Sequence, residues 1–184
     1  MLVAVLAASA CVGSGRGTSH STRGVAATDR SQGSRSALAY AAVVRQLVTK
    51  DHGFGRAPSP YRHVYVLDGI VPTAADPSRF VDRPARPFPD GLARQISAGL
   101  GSLPPVSFVR SRGFAIAGAG LGHVIHRGVL ITLGRIEWVD AQTARVPNNR
   151  WATGLNGQWL TYTVRYDQSS WRVVGVSGDN VTIS

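Results

Sequence analysis

Between Gly128 and Gly178 the chain carries four runs rich in β-branched and aromatic residues: GVLITLGRIEWVD, ARVPNNRWAT, QWLTYTVRYD and WRVVGVSG. The connections between them are too short to hold a crossover helix, so successive runs must pair as antiparallel neighbours. Asn156-Gly157, whose residues both tolerate positive φ, marks a hairpin between the second and third runs. In the third run Leu160, Tyr162, Val164 and Tyr166 alternate with Trp159, Thr161, Thr163 and Arg165, which gives one apolar and one mixed face. A four-stranded meander is therefore expected, and it must be covered on at least one side.

The covering elements are read upstream. SALAYAAVVRQLVTKDHG places Tyr40, Val43, Val44 and Leu47 at helical spacing, with Ser36 as the expected N-cap and Gly53 as the stop. YRHVYVLDGIV reads as a strand with Tyr61, His63, Tyr65 and Leu67 on one face. A proline-rich loop leads to PDGLARQISAGLG, a short helix with Asp90 near its start and Leu92, Ile96 and Leu100 spaced by four, and then to a strand in PVSFVRSR. The Gly-rich segment GFAIAGAGLGHVIHRG is either a loop or a distorted hairpin. The expected class is α+β: two N-terminal helices packed on a curved antiparallel sheet that ends in the meander, forming one domain over residues 37–184.

A single cysteine, Cys11, leaves no disulfide to stabilise this domain. With 43% hydrophobic and 16% charged residues in 184, the chain is composed to fold around a core instead. Residues 12–36, VGSGRGTSHSTRGVAATDRSQGSRS, hold almost nothing large and apolar and are expected to be a flexible tether. His20 within them is expected to be solvated.

The segment before the tether, residues 1–11, is apolar or small and far shorter than the ~20 residues a membrane-spanning helix needs. Ala7-Ala8-Ser9-Ala10-Cys11 resembles the lipobox of bacterial lipoproteins, with Ala8 where Leu is most common and no basic residue before the apolar run. The resemblance implies a signal segment, lipidation of Cys11, and anchoring on the extracytoplasmic face of the cell membrane. Ala8-Ser9-Ala10 also fits cleavage by an ordinary signal peptidase, which would release a secreted protein, and Cys11 as a buried hydrophobe would suit a cytoplasmic one.

GLNGQWLTYTVRYDQSSWRVVGVSG resembles the closing hairpin of nuclear-transport-factor-like or cystatin-like domains. With AYAAVVRQLV, VYVLDGIV and GVLITLG, it also resembles a family of secreted or lipidated actinobacterial proteins to which no activity attaches. The first resemblance implies a cone-shaped fold, which hosts enzymes and non-enzymes alike.

For chemistry the chain offers little. His63, Tyr65 and Asp68 are the catalytic candidates: His63 and Tyr65 share a face on which a desolvated imidazole can act as general base, and Asp68 would orient it if a bulge at Gly69 turned it inward. The competing reading makes His63 and Tyr65 core residues with polar tips at the rim. His123 and His126 in GHVIHRG would point to opposite faces of a strand, and no third ligand lies nearby, so no metal site and no cofactor are expected. No serine sits in a G-x-S-x-G elbow, and AGAGLG lacks the Lys-Ser/Thr of a phosphate-binding loop. Trp138, Trp151, Trp159 and Trp171 all lie in the meander, where sheet packing accounts for them.

The net charge of +10 comes from nineteen arginines and Lys50 spread along the chain without a run, which favours a solvated basic surface over a nucleic-acid arm. From residue 37 onward sixteen basic residues face nine acidic ones, which suits an anionic envelope polymer or a lipid surface. The function expected is a membrane-anchored extracytoplasmic binding or accessory domain without catalytic activity. The alternatives are a small-molecule acid–base enzyme with a cone cavity near His63, and a basic nucleic-acid-binding module.

Overall fold

The computed structural model describes residues 22–79, 81–120 and 122–183, with side chains from Gln32 to Gly178 within them. Cys11 and the lipobox-like segment lie outside the described residues. The chain order is α1 (Thr22–Thr49), β1 (His63–Ile70), α2 (Leu92–Ala98), β2 (Val106–Val109), β3 (Ile116–Ala117), β4 (His123–Val124), β5 (Gly128–Leu133), β6 (Glu137–Trp138), β7 (Thr143–Thr153), β8 (Asn156–Asp167) and β9 (Ser170–Ile183).

The α+β class is as expected: two helices pack on one open sheet. The meander is present, since β5, β7, β8 and β9 pair antiparallel in succession. The front of the sheet corrects the expectation of a wholly antiparallel arrangement. Strand β1 pairs parallel with β2 on one side and with β5 on the other. The physical reason is the long connection from Val71 to Pro105, which carries α2 and returns the chain to the end of the sheet where β1 began. The burial of Val64, Tyr65, Val66 and Leu67 in succession, and of all six residues of β5, is the mark of strands covered on both faces.

Two further expectations are corrected. Among the described residues helix α1 spans Thr22–Thr49 rather than opening after a cap at Ser36. Ser36 is an interior helical residue. The hairpin between β7 and β8 turns at Gly154-Leu155, with Thr153 opposite Asn156, so Asn156-Gly157 opens β8 instead of forming the turn. Gly157 is required for another reason: a Cβ there would meet the Trp159 ring at 2.7 Å.

Two cores follow from strand alternation. On the helix face Tyr40, Val43, Val44 and Leu47 of α1 and Leu92 and Ile96 of α2 pack on Val64, Val66, Val129, Ile131, Leu160 and Tyr162. Fully burying each aliphatic side chain of this kind contributes about 1.5–3 kcal/mol. The Tyr40 hydroxyl, also buried, donates to Gly134 O at 2.8 Å. On the other face Tyr65, Leu67, Leu130, Trp151 and Trp159 lie under a strap, residues 110–127, that includes the β3–β4 hairpin. The Gly-rich segment is thus the distorted hairpin of the two readings. Arg112 pins the strap: its N–H donates to Asp82 O at 2.9 Å and its Nε to Val81 O at 2.6 Å, while burial brings its guanidinium pKa down to about 10.

Among the described residues no helix is long and apolar enough to cross a membrane.

Candidate functional site

The alternation in β1 places His63 and Tyr65 together on the strap face, where their rings stack at 4.4 Å, whereas Tyr61, expected beside them, precedes the strand and packs in the helix-face core. Strand β2 and the turn before β5 supply partners that the sequence does not show. His63 Nε2 pairs with Ser107 Oγ of β2 at 2.9 Å, and the Tyr65 hydroxyl pairs with His126 Nδ1 at 2.6 Å. Asp68, the third candidate, is not brought to either ring. Gly69 does depart from ordinary strand geometry, with φ of 155° and a register irregularity between Val66 and Ile70, but the residue at Tyr65 is His126. Burial, followed by the nearby charge of His126, holds His63 below its ordinary value, and burial pushes the Tyr65 hydroxyl up.

His126 owes its position to an unusual stretch of backbone. His126 and Arg127 have φ of 56° and 50°, a left-handed conformation that costs side-chain-bearing residues about 1 kcal/mol or more each. The turn is held from outside: Ile125 N–H donates to Ala115 O, and Arg62 N–H donates to Arg127 O at 3.0 Å. Gly128 completes it, because a Cβ there would lie 2.8 Å from Ile125 O and 3.0 Å from the Tyr65 ring.

His123, His126 and Arg127 line one side of a cleft of about 400 Å³. The sequence places the two imidazoles on opposite faces of a strand; instead β4 ends at Val124 and the left-handed turn brings both to the same opening. The other walls are Phe54, Pro60, Tyr61, Val124 and Ala152, with Thr153 at the rim. No aspartate or glutamate is among the lining residues. The volume is that of an ordinary small-ligand site.

The Tyr61 wall rests on a polar cluster that sequence reasoning missed. Arg150 of β7 is 1% exposed. Its Nε donates to Asp51 O at 2.5 Å, and its Nη1 to Asn156 Oδ1 and to the Tyr61 hydroxyl. Tyr61 in turn donates to His52 O at 2.9 Å, and Tyr162 donates to the Asp51 carboxylate at 2.5 Å. Burial raises both phenols, with Arg150 opposing the rise, so both hydroxyls stay protonated donors.

No cluster of three or more His, Cys, Asp or Glu able to hold a metal ion occurs among the described residues. The four tryptophans pack into the sheet, Trp151 and Trp159 in the strap-face core and Trp138 edge-on to Trp171 at 5.5 Å. Arg35 of α1 sits over Trp138 at 3.6 Å.

No protein-family model matches this chain, and neither a curated protein nor a solved structure matches it. The geometry of the cleft therefore carries the functional argument.

Proposed function

We propose that the folded domain is a small-ligand-binding module, tied to the extracytoplasmic face of a membrane through Cys11, and that the cleft between the Phe54–Tyr61 segment and the His123–Arg127 turn is its binding site. One observation carries the binding reading: strained backbone, a clearing glycine and a buried phenol together place His126 beside a 400 Å³ opening with apolar walls. The location is supported by the Ala7–Cys11 sequence and by the basic excess of the domain.

The test uses the purified full chain and N-phenyl-1-naphthylamine, a neutral apolar fluorophore. Saturable enhancement is expected, and Thr153→Trp, which fills the rim from an exposed position, weakens it at least tenfold. The reading fails if enhancement is absent or indifferent to that substitution.

A second reading, small-molecule acid–base catalysis, is supported by the two imidazoles held by Ser107 and Tyr65. Its test is turnover by the purified chain that is lost in His63→Ala with the fold retained.

A further inference from the structure

We infer that the cleft selects an anionic amphiphile, an apolar chain or ring bearing one carboxylate, whose head is held between Arg127 and His126. This rests on the binding reading above and names its ligand class.

Charge is the first ground. Every titratable side chain lining the cleft apart from Tyr61 is basic: His123, His126 and Arg127. Arg127 is exposed and uncommitted, since the ion pairs among the described residues are Arg79–Asp76, Arg83–Asp82 and Arg172–Asp167. A guanidinium beside apolar walls favours a ligand that pairs its charge and buries a hydrocarbon body at the same time.

Proton placement is the second ground. The Tyr65 side chain is buried, and His126 Nδ1 is the hydroxyl's hydrogen-bond partner among the described residues. In the tautomer in which the phenol donates into Nδ1, the imidazole proton sits on Nε2. In that tautomer His126 presents the cleft with a donor, and a ligand acceptor answers it. One guanidinium and one imidazole N–H match a carboxylate's two acceptor oxygens.

The consecutive left-handed residues are the third ground. They set both side chains on the same opening, where an ordinary strand would send neighbours to opposite faces. Local strain is thus used to converge two polar groups.

The experiment is displacement of N-phenyl-1-naphthylamine from the full chain by decanoate, decanol, decyltrimethylammonium and decyl phosphate at neutral pH. Decanoate is expected to displace the probe at least tenfold more effectively than decanol or the ammonium. Arg127→Gly, which suits the positive φ, should remove about tenfold of that preference, and His126→Asn, which also tolerates it, should remove part. Equal displacement by decanoate and decanol, or a preference unchanged in Arg127→Gly, would overturn the carboxylate assignment while leaving the cleft a binding site. Tighter binding of decyl phosphate than of decanoate would overturn it too. Absence of probe binding would overturn the binding reading, and this inference with it.

Discussion

Replacing Arg150 with Met should destabilise the protein by about 2–4 kcal/mol. The figure follows from what the guanidinium leaves behind. Its Nε and Nη1 satisfy Asp51 O and Asn156 Oδ1, and Met, though close in volume, offers neither a donor. Each acceptor left unpaired in a buried site costs about 1–3 kcal/mol, and these two, being only partly buried, fall at about 1–2 kcal/mol each. The Tyr61 hydroxyl keeps its bond to His52 O and the Asp51 carboxylate keeps Tyr162 and Gln46, so the loss does not spread through the whole cluster. Against a typical total of 5–15 kcal/mol, and with a urea slope of about 2 kcal/mol/M, the unfolding midpoint should fall by about 1–2 M. Arg150→Lys should lose roughly half as much, because one ammonium on a flexible stem cannot span the fork that joins Asp51 to Asn156. Equilibrium urea unfolding, followed by tryptophan fluorescence, gives both numbers. A Met variant within ~0.5 kcal/mol of the wild type would show that the buried cation is no better than hydrocarbon here, as happens at some buried ion pairs, and would refute the reasoning.

Gly128→Ala drives a methyl group against Ile125 O, Val124 Cγ1 and the Tyr65 ring, so overpacking should cost about 1–3 kcal/mol and lower the melting temperature by roughly 2–10 °C. The imidazole resonances of His126 should shift as Tyr65 is displaced; unchanged resonances would detach Gly128 from this pairing. His63 is held below its ordinary 6.5, so the unfolded chain takes up this proton before the folded one does. The stability tied to a neutral His63 is accordingly full above about pH 6.5 and is lost as pH falls from there through the lowered folded value. Urea unfolding between pH 5 and 7.5 should show a shallower pH slope in His63→Gln than in the wild type, and equal slopes would remove His63 as the source. Mass analysis of the N-terminal peptide after bacterial expression should find a diacylglyceryl group on Cys11, lost with membrane partitioning in Cys11→Ala; an unmodified thiol would end the anchored reading.

The legible parts of the fold were those governed by short-range periodicity. Tyr40, Val43, Val44 and Leu47 face the core because a helix puts them there, and Leu160, Tyr162 and Val164 turn inward because strands alternate. Asn156-Gly157 misled by two residues: the local turn signal competed with Asn156 as an acceptor for Arg150 and with Gly157 as clearance for Trp159, and the tertiary demands won. In the site, His63 and Tyr65 were visible as a pair on one face. His126 was not, because its contact with Tyr65 spans 61 positions and depends on a left-handed conformation that nothing in His-Arg announces. The one local hint was Gly128 immediately after them.

The mistaken strand direction and the missed site have the same origin. Both walls of the cleft are segments that feed into strands: Phe54–Tyr61 leads into β1, and His123–Arg127 leads into β5. Had β1 and β5 been antiparallel, these incoming segments would lie at opposite ends of the sheet, and His126 would have no route to Tyr65. Parallel pairing sets His63 opposite Gly128, brings Arg62 N–H onto Arg127 O, and so closes both segments around one opening. The end of β7, antiparallel to β5, then arrives at the same edge with Ala152 and Thr153. Ligands of open parallel sheets usually sit beyond the carboxyl ends of the strands, where the outgoing loops gather. Here the outgoing side of β1 is occupied instead by the backbone of the proline-rich connection, with Ile70 N–H donating to Arg86 O and a Cβ at Gly69 meeting Arg86 O and Pro84. With that end covered, the cleft forms where the strands begin, and its chemistry is set by the residues that happen to precede a strand rather than by those that follow one.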